Sequence, residues 1–150
     1  MMIGANDRRG VYAANGSIEA AYKSAQWSDA YSKRVENFMK NVTDRSVPLV
    51  WILLPIMRED DASVDAKLIN SIVTQAAQNH TGVTLVETWS MMIDENKAYA
   101  AYLKNAKGQS RLIRAPDGVH FTEEGYEMIS DAAWARVLET STPIRLLIQK

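Results

Sequence analysis

The sequence predicts an α/β domain in which parallel strands alternate with helices packed on both sides of the sheet. Three observations carry that expectation. Two apolar runs, Leu49 to Leu54 and Val83 to Trp89, are short, partly β-branched and bounded by turn residues, as buried strands are. Three longer segments place apolar residues three and four apart, the spacing of one helix face. The two kinds of segment alternate, and strands separated by ten or more helical residues pair in parallel through right-handed crossovers.

The elements follow in chain order. From Ser28 to Val42, residues Tyr31, Val35, Phe38, Met39 and Val42 form an apolar stripe, and Ser28-Asp29 offers a cap. The run Leu49 to Leu54 lies between Pro48 and Pro55, which suits a strand covered on both faces. A second helix is expected from Ser63 to Asn79, with Ser63 as cap, a stripe of Val64, Leu68, Ile72 and Ala76, and Gly82 beyond its end. Val83 to Trp89 is the second strand, and Asn96 to Ala106 reads as weakly patterned helix. The last helix spans Thr122 to Glu139, with Thr122 and an acidic first turn at its start and Tyr126, Ile129, Ala133, Trp134 and Val137 on one stripe. Residues 1–3 read as either the end of a strand or a frayed terminus.

Composition narrows the function classes. In 150 residues, 17 Lys and Arg against 18 Asp and Glu give a net charge of -1, which argues against a general nucleic-acid binder, because phosphate backbones are held by a cationic surplus. The absence of cysteine excludes disulfides, thiolate zinc sites and a Cys nucleophile. Two distant histidines, His80 and His120, make a metal site improbable, and no cofactor is implied. The longest apolar run, Val47 to Met57, holds two prolines and is about half the roughly 20 residues of a spanning helix. No apolar leader follows Met1. At this length one domain with a substantial core is expected over residues 1–150.

Two short blocks can carry chemistry. In Asp117-Gly118-Val119-His120, a carboxylate three residues ahead of an imidazole can hold the ring in one tautomer and stabilise the imidazolium formed when the ring takes a proton. A capping or surface histidine is the alternative. In Gly4-Ala5-Asn6-Asp7, a glycine allows close backbone approach, and an Asn amide above the carboxyl end of a parallel sheet can donate to an oxyanion. A self-capping turn is the alternative there.

Together and in this order, the G-x-N-D and D-x-x-H blocks resemble those of the SGNH hydrolases, the GDSL-type esterases and acyl hydrolases. More narrowly, Gly4-Ala5-Asn6-Asp7-Arg8 with Asp117-Gly118-Val119-His120-Phe121-Thr122 and Gly125 is similar to a bacterial, usually extracytoplasmic branch of that superfamily. The resemblance covers almost the whole chain. It implies a three-layer α/β/α domain with a parallel, flavodoxin-like sheet, in which Leu49 to Pro55 and Val83 to Trp89 are the fourth and fifth strands. It also implies roles: His120 as general base, Asp117 as its orienting partner, Asn6 as oxyanion donor, Gly4 as the residue shaping the Asn6 loop, and an ester substrate such as an O-acetylated glycan.

The family's Gly-Asp-Ser block, which supplies the nucleophile, has no counterpart. Ser17 follows Asn15-Gly16 without a preceding strand, while Ser28 and Ser63 read as caps. The expectation is therefore a domain lacking the first two strands, weak or inactive alone, with an unpaired sheet edge that favours a homodimer. A non-catalytic binding or assembly module on the same scaffold is the rival reading. Arg8, Arg9, Arg111 and Arg114 flank the blocks; Arg8 and Arg114 are candidates for binding an anionic substrate group, against solvated loop arginines or pairing with Asp60 or Asp61. Among the tryptophans, Trp51 and Trp134 fall on core stripes, and packing is preferred over ligand stacking for Trp27 and Trp89.

Overall fold

Parallel pairing organises the sheet of this computed structural model, which describes residues 1–140. Strand β3 (Leu49–Ile52) pairs with β4 (Val83–Val86), Leu49 opposite Val83 and Ile52 opposite Val86. On the other side of β3, the Met1 amino group donates to the Val50 carbonyl at 2.7 Å, and the Ile52 N–H donates to the Met1 carbonyl at 2.7 Å. Residues 1–3 are thus tied to the edge of β3 instead of fraying.

Helices cover both faces. Side chains alternate along a strand, so Leu49 and Trp51 point to one face and are buried, Trp51 at 1% exposure. That face packs on α1 (Ala25–Thr43) and α2 (Asp60–Ala77) through Trp27, Tyr31, Val35, Met39, Ile69 and Val73. Ile52 and Met2 face the other way, against a smaller core of Met92, Ile113, Phe121 and Ile129 that includes α3 (Glu123–Thr140). Two helices on one side and one on the other give the expected layered α/β arrangement.

Several details differ from the sequence reading, each for a local reason. Helix α1 starts at Ala25, because the Ser24 hydroxyl accepts the Trp27 N–H at 3.1 Å and caps it one turn before Ser28. Helix α2 starts at Asp60. Ser63 lies inside it and its hydroxyl turns back to Met57, accepting that residue's N–H and donating to its carbonyl, both at 2.9 Å. The buried face of α2 includes the expected Ile72 and Ala76 but continues through Ala62, Ala66, Ile69 and Val73, so Val64 is 58% exposed. On α3 only Gly125 and Ile129 are buried, leaving Tyr126 and Trp134 outside.

The stretch from Asn96 to Ala106 is not helical. Asp94 accepts the N–H groups of Asn96 and Ala98, Lys97 adopts a positive φ, and the chain enters an antiparallel hairpin of β5 (Tyr102–Lys104) and β6 (Ser110–Leu112). Its turn is fixed by the Asn105 side chain, which accepts from the N–H groups of Lys107 and Gln109. These side-chain turns override the helix propensity of the alanines. A further hairpin, β1 (Val11–Tyr12) with β2 (Ile18–Ala20), precedes α1 and was unanticipated. Asn15 supports it by accepting the N–H and hydroxyl of Ser17.

The segment after β3, residues 53–58, leaves the sheet as a pinned strap. The Thr88 hydroxyl donates to the Leu53 carbonyl at 2.6 Å, and the Asn70 amide clasps Leu54, accepting its N–H at 2.8 Å and donating to its carbonyl at 2.7 Å. Ser63 holds Met57 in the same way. Replacing Asn70 by Leu keeps the volume but strands two backbone groups in a partly buried setting. The substitution is expected to cost about 2 kcal/mol of unfolding free energy in urea titration; a loss below about 0.5 kcal/mol would contradict the strap's role.

Candidate active site

Both chemically suggestive blocks sit at the carboxyl end of the parallel strands, where ligands of open α/β sheets bind. Residues 4–7 follow the segment paired with β3. Gly4 is buried with φ +124°, and a Cβ there would meet Ile69 at 2.9 Å and Leu54 at 3.3 Å, so only glycine lets the loop lie this close to α2 and the strap. The Asp7 N–H donates to the Gly4 carbonyl at 2.9 Å and closes the turn. Asp7 itself points inward and accepts the Tyr31 hydroxyl at 2.9 Å. Burial first, and then that hydrogen bond, push the Tyr31 phenol above its ordinary pKa, so it remains a donor at neutral pH. Trp27 completes the anchorage, stacked on Tyr31 and donating from its indole N–H to the Arg9 carbonyl at 2.8 Å. Asn6 between these anchors is exposed, and its amide makes no hydrogen bond among the described residues.

The second block forms the tip of a narrow loop. Arg114 bridges to Phe121, and the Ala115 N–H donates to the His120 carbonyl at 2.9 Å. Gly118 turns the tip with φ +75°; a Cβ there would lie 2.4 Å from that of Arg58. Asp117 organises the tip. One carboxylate oxygen accepts the N–H groups of Val119 and His120, each at 2.9 Å, while the other lies 2.6 Å from His120 Nδ1. The His120 bond and then the two backbone bonds hold the Asp117 carboxyl far below the usual carboxylate range. An ionised Asp117 accepts only, so in the neutral ring the proton sits on Nδ1 and Nε2 keeps its lone pair.

Asn6 and His120 line one cleft of about 390 Å3, walled by apolar residues including Met2, Leu54, Met57, Phe121 and Tyr126. The arrangement places an imidazole held by Asp117 at one point of the wall and an exposed amide at another. Among the described residues, no serine lines this cleft. A second hollow of about 280 Å3 lies between α1 and Ile3, floored by Trp27 and Trp51, and holds neither Asn6 nor His120.

The arginines are placed otherwise than the sequence suggests. Arg114, a candidate substrate ligand, is 1% exposed; its two terminal nitrogens donate to backbone carbonyls, while its Nε is buried without a partner among the described residues. Arg8 lies 3.7 Å from Asp65, a buried carboxylate that also receives Lys23 at 2.6 Å; neither Asp60 nor Asp61 is its partner. Arg111 faces Glu124 at 3.3 Å. Trp27 is buried as packing, and Trp89 lies under the Lys67 ammonium. Tyr31, Asn70 and Arg58 are the positioning residues the sequence did not expose. Only the i to i+4 spacing of Trp27 and Tyr31 hinted at one of them.

The layered α/β fold thus brings a carboxylate–imidazole pair and an asparagine together at the strand ends. A solved GDSL-like lipase from Bacteroides thetaiotaomicron VPI-5482 shares this fold, with TM-score 0.53 and 21% identity over 78% of this chain and 55% of that one. The chain thus spans about half the length of the lipase it matches. A family model described as a protein of unknown function, DUF459, matches residues 1–136, and the chain belongs to that family. No curated protein matches the sequence.

The Asp117 network makes a pH prediction. A carboxyl depressed by folding contributes stability that is present above its unfolded value, near about 4, and is lost as pH falls toward the folded value. The difference in unfolding free energy between wild type and Asp117→Asn should be largest above about pH 5 and shrink as pH falls to about 2. A difference independent of pH in urea titrations would contradict the network.

Proposed function

We propose that this protein carries the general-base and oxyanion-binding part of a serine ester-hydrolase site, acting on an ester such as an O-acetyl group on a glycan or another short acyl ester. The observation that supports this reading is the shared cleft of Asn6 and His120, with His120 held at Nδ1 by Asp117. Its apolar walls, and the diversion of Arg8 and Arg114 to protein partners, favour an uncharged acyl group over an anionic one.

In the proposed reaction a serine from a Gly-Asp-Ser block, in a longer form of the protein, attacks the ester carbonyl. His120 Nε2 takes the serine proton, Asp117 stabilises the resulting imidazolium, and the Asn6 amide donates to the oxyanion. The tetrahedral intermediate then expels the alcohol, which receives the proton from His120. Water repeats the sequence on the acyl-enzyme.

The rival reading is a non-catalytic binding or assembly module, and the lack of a serine along the cleft among the described residues is the observation that favours it. Met1 and Ile3, 38% and 43% exposed beside the edge of β3, offer such a module a surface for pairing with a second copy.

Two measurements separate these readings. The 150-residue chain should take up no fluorophosphonate, because neither block supplies a nucleophile. In a form that hydrolyses a short acyl ester, His120→Ala should lower kcat by roughly four orders of magnitude, and Asn6→Ala by about two to three, with KM little changed. Variants with wild-type kcat would refute the assignment. A defined dimer by light scattering, with no hydrolysis in any longer form, would favour the module.

A further inference from the structure

Arg114 fills the space between the strap and the Asp117–His120 tip. One guanidinium nitrogen, Nη1, donates to the Ile56 carbonyl of the strap at 2.7 Å. The other, Nη2, donates to the carbonyls of Gly118 and Val119 at 3.0 and 3.1 Å. The guanidinium carbon lies 4.7 Å from the centre of the Phe121 ring and 5.0 Å from that of Tyr99, so aromatic faces hold the plane of the fork. The side chain is almost fully buried.

The two carbonyls belong to the same peptide units whose N–H groups hold Asp117. The Gly118 carbonyl shares a plane with the Val119 N–H, and the Val119 carbonyl shares one with the His120 N–H. Those two N–H groups are the ones that Asp117 accepts. A peptide unit is rigid and planar, so fixing its oxygen fixes the direction of its N–H. A cation on the oxygen also polarises the unit and strengthens the N–H as a donor.

We propose that Arg114 is a positioning residue, which aims and strengthens the Asp117–His120 pair through these two peptide planes while tying the pair to the strap beside Asn6. Arginine suits the task because its planar fork reaches two backbone segments at once; a lysine ammonium is a single point on a flexible stem. Arg58 assists from the surface, its N–H donating to the Gly118 carbonyl and its guanidinium to that of Pro116, but it bonds only one of the two planes. The inference rests on reading the pair as the base of the site, yet its test requires no turnover, so the failure of one is distinguishable from the failure of the other.

The test is the titration of the Asp117 carboxyl carbon by NMR in the 150-residue chain. Arg114→Lys should raise the Asp117 midpoint toward the ordinary carboxylate range. Ser63→Ala removes a strap bond without touching either plane, and it should lower the thermal midpoint while leaving the Asp117 titration where it is in wild type. An Arg114→Lys protein that is destabilised but titrates at Asp117 as wild type does would overturn the proposal, leaving Arg114 a structural residue only. Should Arg114→Lys fail to fold, the wild-type Arg114 side chain is read instead. Separate, slowly exchanging Nη protons with couplings to the carbonyl carbons of Gly118 and Val119 are expected, and averaged, rapidly exchanging ones would overturn it.

Discussion

Asp117 is the constraint on which the site depends. Its carboxylate receives three hydrogen bonds, two from the peptide groups that close the loop tip and one from the ring it orients. The bonds that shape the turn therefore also fix the imidazole. This solves a problem of exposure, since His120 and Asp117 keep 67% and 50% of their side-chain surface open. Surface ion pairs contribute little by themselves, because solvent screens them and free side chains lose entropy on pairing. Here the acceptor is held by two backbone bonds in addition to the imidazole.

The rest of the scaffold brings that tip to the right place. Parallel strands leave their carboxyl ends together, and the loops that follow residues 1–3 and β3 emerge side by side. The strap between them is held by Thr88, Asn70 and Ser63, which satisfy backbone groups that have left the sheet ladder. On one side the strap supports Gly4 and hence Asn6; on the other it meets Arg114 and hence the His120 loop. Tyr31 and Trp27 anchor the Asn6 loop from α1. Packing on the buried face of the sheet is thus translated into the placement of two exposed polar side chains.

The layered α/β class was legible in the sequence because β3 and β4 lie in continuous apolar runs bounded by turn residues, while α1, α2 and α3 place apolar residues three and four apart. The hairpins were not. Their strands are two or three residues long and largely exposed, so no alternation accumulates, and their turns depend on side-chain bonds made by Asp94, Asn105 and Asn15. Helix phase was misjudged where small residues carry the buried stripe. Ala62 and Ala66 bury α2 while Val64 faces solvent, although Ile72 and Ala76 of the expected stripe are buried. At the site, Asp117, His120 and Asn6 were legible as residue types at short spacing. The destiny of Arg114 was not, because its partners are backbone carbonyls at Ile56, Gly118 and Val119, which no residue type announces.

The claim at the centre of this account is that Asp117 fixes the His120 ring with its basic nitrogen open. It is tested most directly by long-range proton–nitrogen NMR of the His120 ring in the 150-residue chain, at a pH where the imidazole is neutral. A single tautomer is expected, with the proton on Nδ1, bonded to Asp117, and an unprotonated Nε2. A ring that averages between tautomers, or one protonated at Nε2, would contradict it.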